Sequence, residues 1–234
     1  MLKMQGGNKS NLLTNPIKRF TIMGERCSGT NYIEKLFSTN ILNLDITWDY
    51  GWKHWLGFYD FQNNEVENET LFIGIIRDPI EWIDSLYRMK HHIPPENHNI
   101  DNFLFNEWWS EDDNDNGNEI NVWKIYRDRN YITGDRFKNI FELRKLKNDY
   151  LQNIMPNKVN NYLLINYNDF MLNPDKNFKS ICNNYSLKLD ENFENLVNLY
   201  AKKNIELDNY YIDKIKENLD LEQELSLNFD LTTL

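Results

Sequence analysis

The stretch RFTIMGERCSGTNYIEKLF, residues 19–37, carries the signals that predict the fold. Phe20 to Met23 are apolar and suit a buried strand, which ends at Gly24. From about Thr30, apolar residues recur at the three- and four-residue spacing of a helix. A strand that passes through a short glycine-containing loop into a helix is typical of an α/β protein.

Two later stretches repeat this order of strand and helix. The apolar run Leu71 to Ile76 ends at Arg77-Asp78-Pro79, and a proline suits the first turn of a helix. The run YLLINY, residues 162–167, has the continuous apolar character of a strand buried on both faces, and helical periodicity follows it. Three such units predict an α/β three-layer sandwich with a mainly parallel central sheet.

Length and composition set the broad class of the protein. The chain has 234 residues, of which 41% are hydrophobic, and this length favours one compact domain. We expect that domain to span residues 19–234, after a flexible polar arm at residues 1–18. Residues 110–119, SEDDNDNGNE, predict an exposed acidic loop. Further helices are predicted at residues 140–155, about 191–203 and about 209–219.

The charge balance excludes some functions. A formal net charge of −10 argues against a general nucleic-acid-binding protein, because such proteins hold the phosphate backbone with a basic face. No apolar stretch reaches the roughly 18 residues of a membrane span, and the N-terminal residues do not resemble a signal peptide. The two cysteines, Cys27 and Cys182, form no metal-binding or disulfide array. We therefore expect a cytoplasmic protein without nucleic-acid or membrane partners, whose oligomeric state the sequence does not define.

The loop after the first strand has the spacing of a phosphate-binding loop. Gly24 and Gly29 form a G-x4-G pattern in front of a helix, whose backbone N–H groups can bind an anion. Thr30 stands where a Walker A motif has its lysine, which disfavours an ATPase or GTPase. The C-x5-R motif of phosphatases is excluded because Ile33 occupies the arginine position counted from Cys27. The loop predicts an anion site, with a plain strand-to-helix turn as the alternative.

Three segments, in this order, resemble the PAPS-dependent sulfotransferase family, whose sulfuryl donor is 3′-phosphoadenosine 5′-phosphosulfate (PAPS). The first is Ser28-Gly29-Thr30 with an aromatic residue at Tyr32. The second is Arg77-Asp78-Pro79 with Ser85 following on the predicted helix. The third is YLLINYNDFMLNP, residues 162–174, which resembles the family's strand, tyrosine and Asn-Pro element.

The resemblance implies a P-loop-like nucleotide-binding topology and a cofactor site. Backbone N–H groups of the loop would hold the 5′-phosphosulfate, with the Thr30 hydroxyl as an extra donor. Arg77 and Ser85 would hold the 3′-phosphate, which distinguishes PAPS from ATP. Tyr32 and Tyr167 would lie near the adenine. The implied cofactor-binding residues are Cys27, Ser28, Gly29, Thr30, Asn31, Tyr32, Arg77, Ser85 and Tyr167.

The resemblance also implies a metal-free, in-line transfer of the sulfuryl group to a hydroxyl or amine, which releases 3′-phosphoadenosine 5′-phosphate (PAP). His54, in TWDYGWKHWLGF (residues 47–58), lies where the family has its histidine base, next to Lys53. Family members carry Lys or Arg directly before Ser-Gly-Thr, but this chain has Cys27 there, and we expect Arg26 to supply the charge. The alternative for His54 is simple packing among the neighbouring tryptophans.

Several alternatives stay open. Arg77-Asp78-Pro79 also fits a helix start, and Tyr167 also fits a turn. The C-terminal basic, glycine-containing cofactor loop of cytosolic sulfotransferases is missing, and Arg127, Arg129 or Arg136 are candidates to cover the nucleotide in its place.

We expect a small-molecule or carbohydrate acceptor, for which the tryptophans at 48–55 and 108–109 could line a pocket. Aromatic residues suit sugars and phenols equally, so they do not identify the acceptor. The alternative functions are a non-catalytic 3′-phosphonucleotide-binding module and a magnesium-dependent nucleotide or small-molecule kinase.

Overall fold

The computed structural model describes residues 16–90, 92–110, 128–197 and 204–231. Contacts divide the chain into two compact units. Within the described ranges, the first unit consists of residues 16–53, 59–77 and 151–197, and the second of residues 54–58, 204–231 and the described parts of 78–150. The prediction of one domain from residue 19 onward stays a prediction.

The first unit contains a four-stranded sheet in which all strands are parallel. Its strands are β1 (Arg19–Gly24), β2 (Asp45–Ile46), β3 (Thr70–Ile76) and β4 (Tyr162–Asn166), in the spatial order β2-β1-β3-β4. Gly24 pairs with Ile75, and Ile76 pairs with Asn166, so the carboxyl ends of β1, β3 and β4 lie at the same edge. The predicted α/β class with a parallel sheet is confirmed.

The helices vary in length from one turn to three. In chain order they are α1 (Thr30–Asn40), α2 (Glu65–Asn68), α3 (Pro79–Met89), α4 (Ile100–Phe105), α5 (Ile140–Asp149), α6 (Met155–Lys158), α7 (Tyr167–Leu172), α8 (Pro174–Asn184), α9 (Asn209–Asn218) and α10 (Leu221–Ser226). A short 3-10 helix spans Pro95–Asn97, and a π turn spans Tyr150–Ile154. In the described ranges, no helix combines the length and the apolar character that a membrane crossing requires.

Helical segments cover both faces of the sheet within the first unit. On one face, Phe20 of β1 contacts Phe37 of α1, which in turn packs edge-on against Phe178 of α8. Side chains alternate between the faces of a strand, so Tyr162 points away from this cluster. Its hydroxyl donates to the Leu151 carbonyl at 2.6 Å, next to α6. This arrangement is the helix, sheet and helix sandwich that the sequence predicts; the nucleotide-binding topology stays a prediction.

Buried ion pairs organise the second unit. Arg144 of α5 makes a two-pronged contact with Glu224 of α10, at 2.5 and 2.7 Å, and both side chains are buried. Lys147, one turn further along α5, donates to the Asp128 carboxylate at 2.6 Å. Removing one partner would leave a buried charge alone, which is strongly destabilising.

The structure differs from the predicted elements at three places. The helix predicted at 140–155 is interrupted by the π turn Tyr150–Ile154. Pro156 lies just after this turn and lacks the N–H that a continuous helix would need there. A helix is predicted at about 191–203, but residues 191–196 form no helix, and residues 198–203 lie outside the described residues. Residues 1–15 of the predicted arm and 111–119 of the predicted acidic loop also lie outside the described residues. Lys18, which the sequence assigns to the flexible arm, donates its backbone N–H to the Glu69 carbonyl next to β3.

A substitution at Gly74 of β3 can test the packing of the second face of the sheet, because a Cβ there would overlap the Tyr162 hydroxyl. We expect Gly74→Ala to destabilise the fold, and Tyr162→Phe to cost about 1 kcal/mol through the lost hydrogen bond. The double variant should lose less unfolding free energy than the sum of the two single variants, measured in urea. A strictly additive result would contradict the contact.

The buried thiol of Cys182 predicts an alkaline loss of stability. Burial raises its pKa from 9.0 to about 12. The unfolded chain therefore loses this proton first, so the contribution to stability is complete below pH 9 and disappears as the pH rises towards 12. Between about pH 8 and about pH 10.5, wild type should lose more unfolding free energy than Cys182→Ala. Equal losses in the two proteins would contradict this role of the thiol.

Candidate functional site

The candidate site lies in the first unit, where the carboxyl ends of three strands meet. The loop of residues 25–29 follows β1, Arg77 follows β3 and Tyr167 follows β4. Crevices at the carboxyl ends of parallel strands are the usual place for ligands in α/β proteins. The sequence named residues in all three segments, and the parallel sheet brings the segments together.

The loop has a tight shape that needs two left-handed residues. Cys27 has φ 61° and Gly29 has φ 98°. Both the backbone N–H and the hydroxyl of Ser28 donate to the Glu25 carbonyl, at 3.1 and 2.6 Å. These bonds close the turn and direct the chain into α1.

The N-terminus of α1 is chemically suited to an anion. The N–H groups of Gly29, Thr30 and Asn31 donate to no backbone carbonyl in the part of the chain that the structure describes. Gly29 provides no side-chain cap, and the first turn of α1 has no acidic residue. Open N–H groups and the positive end of the helix dipole together favour negative charge.

The other long helices are capped differently. Among the described helices of ten or more residues, α3, α5, α8 and α9 each begin with an Asp or Asn side chain that accepts a backbone N–H. Such a cap occupies the donors that an anion would use. The capping side chains are Asp78, Asn139, Asn173 and Asp208.

Arg77 joins the loop to the end of β4. Its Nη1 donates to the Cys27 carbonyl at 2.9 Å, and its guanidinium carbon lies 5.6 Å from the centre of the Tyr167 ring. The side chain is half-buried. The positive charge is therefore held close to the loop and the ring.

Tyr167 packs directly on the loop glycine. A Cβ at Gly29 would overlap the Tyr167 ring, so the ring occupies the space that any other residue would fill. Tyr32 meets this ring edge-on, with the ring centres 6.1 Å apart. Tyr32 itself is buried, its hydroxyl donates to the Asn195 carbonyl, and burial raises its pKa well above the usual value. Tyr32 therefore supports Tyr167 from the core.

Lys53 is buried beside the start of α1. Its Nζ donates to Asn31 Oδ1 at 2.6 Å and to Glu34 Oε2 at 2.8 Å, and its carbonyl accepts from the N–H of Gly24. These bonds fix an ammonium group next to the N-terminus of α1. Sequence reasoning named Lys53 and Asn31 but missed Glu34, although residues three apart on a helix share one face.

Arg26 lies within the loop and is buried. Its Nη2 lies 3.6 Å from Glu25 Oε2, so a carboxylate that the sequence reasoning did not consider partly balances its charge. The role predicted for Arg26, to balance charge on the departing phosphate, stays a prediction.

His54 and Ser85 belong to the second unit. His54 is buried, and its carbonyl accepts from Lys147 Nζ at 2.9 Å. Ser85 is half-buried on α3. The roles predicted for these two side chains stay predictions.

The proposed covering arginines have different surroundings. Arg136 bonds to Glu107 at 2.8 Å and lies over the Trp109 ring at 3.9 Å, and Arg129 is half-buried. Arg127 lies outside the described residues.

Neither a scan against protein-family models nor a search of curated proteins gives a match for this chain. Within the described ranges, no group of three or more His, Cys, Asp or Glu side chains is arranged to hold a metal ion.

The contact between Gly29 and Tyr167 can be tested with a matched control. Gly51 has φ 100°, close to the 98° of Gly29, but a Cβ there would meet nothing within 4 Å. Gly51→Ala should cost about 1 kcal/mol for the left-handed backbone alone. Gly29→Ala should cost more in urea unfolding, and Tyr167→Ala should remove the difference. Equal losses for the two glycine variants would contradict the contact.

Proposed function

We propose that this protein is a PAPS-dependent sulfotransferase, which transfers a sulfuryl group from PAPS to a hydroxyl or amine and releases PAP. The observation that carries the proposal is the contact of Arg77 with the Cys27 carbonyl. This contact links the two segments whose residues resemble the family's cofactor motifs. A chance likeness of short motifs does not require the two segments to lie in contact.

The start of α1 supports binding of the 5′-phosphosulfate. The N–H groups of Gly29, Thr30 and Asn31 would donate to its oxygens, and the Lys53 ammonium, which already contacts Asn31, adds positive charge nearby. Negative charge develops on the 5′-phosphate as the sulfuryl group leaves, and a fixed cation stabilises it. Lys53 and Arg26 are the residues proposed for this task.

Arg77 and Tyr167 support binding of the rest of the nucleotide. A guanidinium has five N–H donors in a rigid fork, which suits a phosphate better than a lysine does. Its position beside the half-buried Tyr167 ring would put a 3′-phosphate and a stacked adenine in neighbouring places. The resemblance adds Ser85 as a further donor to the 3′-phosphate.

The proposed reaction balances without a metal. The acceptor oxygen forms a bond to sulfur while the bond from sulfur to the 5′-phosphate oxygen breaks, and His54 takes the acceptor proton. His54 directly follows Lys53 in the chain, so one short segment would supply both the base and a cation.

The cofactor assignment is tested by calorimetry with PAP, and with ATP in the presence and absence of magnesium. PAP should bind without metal, and Arg77→Ala should weaken binding at least about tenfold, because a charge-assisted hydrogen bond is lost. Arg19→Ala is the matched control, since Arg19 is a half-buried arginine at the opposite end of β1. A preference for ATP with magnesium, or no binding of either nucleotide, would overturn the proposal.

The base assignment is tested after an acceptor has been found with radiolabelled PAPS. His54→Ala should lower turnover about 100-fold or more, while the affinity for PAP stays unchanged. Full turnover in His54→Ala would refute its role as the base. PAP binding without transfer to any acceptor would instead favour a non-catalytic binding module.

A further inference from the structure

Trp48 and Trp52 form an exposed aromatic surface on the segment that precedes Lys53. Their residue surfaces are 38% and 45% exposed, whereas Trp82 and Trp108 are almost completely buried. Burying a large aromatic side chain normally contributes to stability, so two adjacent exposed tryptophans indicate a binding surface.

The two rings are held in a defined arrangement. Their centres are 5.5 Å apart with a 34° angle between the planes. The Lys53 ammonium lies 5.7 Å from the Trp48 ring and 5.5 Å from the Trp52 ring. Because Asn31 and Glu34 hold that ammonium, the aromatic surface is tied to the first turns of α1. A preorganised surface loses little entropy when a ligand binds.

The polar groups beside the rings select the class of ligand. Asn31 is exposed, and the Glu34 side chain is 30% exposed. The patch therefore offers apolar ring faces next to the Asn31 amide and the Glu34 carboxylate, which both bind the buried Lys53 ammonium. A sugar matches both parts, because its C–H face can lie on an aromatic ring while its hydroxyls donate and accept hydrogen bonds.

Charge argues for a neutral sugar. The Glu34 carboxylate accompanies Lys53 at the patch, and the whole chain carries a formal net charge of −10. Because this ion pair is neutral, it offers no surplus positive charge to a sulfated or carboxylated saccharide, and the net charge of the chain opposes its approach. A simple phenol could stack on the tryptophan rings, but its single hydroxyl could bond to only some of the polar groups beside them.

We propose that Trp48 and Trp52 bind a neutral carbohydrate and, on the basis of the proposed function, that this carbohydrate is the sulfuryl acceptor. A sugar hydroxyl near Lys53 and Asn31 would lie beside the start of α1, where the sulfuryl group is proposed to bind. The sugar oxygen would then form the new bond to sulfur, its proton would pass to His54, and PAP would leave.

An array of neutral and sulfated glycans, followed by calorimetry with the best neutral glycan, tests the proposal on the full chain. We expect binding of neutral glycans that Trp52→Ala and Trp48→Ala weaken about tenfold or more, as is usual for a tryptophan at the centre of an interface. Tyr210→Ala is the control, since Tyr210 is an exposed aromatic residue of α9 in the second unit and has no role in the proposed site. Trp52→Phe should retain part of the affinity and guards against loss of folding.

The outcomes separate this inference from the proposed function. The carbohydrate site would be overturned if only sulfated glycans or the phenol 4-nitrophenol bind, or if no glycan binds. It would also be overturned if the Trp48 and Trp52 variants leave neutral-glycan binding unchanged. In each case PAP binding, measured on the same proteins, would still report on the sulfotransferase proposal. Neutral-glycan binding at the tryptophans without any PAP binding would overturn the acceptor role.

Discussion

The Tyr167 ring rests on Gly29, and the candidate site depends on this contact. The ring leaves no space for a Cβ at position 29, so this position requires a glycine. A glycine also adopts the left-handed backbone of the turn before α1 without strain. The same ring neighbours the Arg77 guanidinium and meets Tyr32 in the core. One aromatic side chain therefore connects the ends of β1, β3 and β4, and couples the shape of the loop to the packing beneath it.

The strands could be predicted because their signals are local and continuous. The buried strands β1, β3 and β4 are apolar runs that end at a glycine, an Arg-Asp-Pro sequence and a tyrosine. Strand β2 has two residues, Asp45 and Ile46, and gives no such signal because its pairing depends on its neighbour. The π turn after α5 and the non-helical residues 191–196 likewise reflect tertiary packing, which overrides helical periodicity.

The candidate site could be predicted in part for a related reason. The family resemblance assigns residues of three segments to one site, and the parallel register places the carboxyl ends of β1, β3 and β4, which these segments follow, at one edge. The pairing of Lys53 with Glu34 and of Arg26 with Glu25 was not foreseen, because acidic residues are frequent in this chain and any of them could have served. The burial of Tyr32 also depends on the carbonyl of the distant Asn195.

The pairing of β3 with β4 has a consequence for the order of folding. The register joins Phe72 to Tyr162, so a long stretch of chain must be made before this contact can close. During synthesis, β1, α1 and β3 leave the ribosome well before residue 167 exists, and contacts between distant segments form slowly. The glycine turn therefore acquires its supporting ring late. A nascent chain can hold most of its first strands while the loop before α1 still lacks the ring that packs on Gly29.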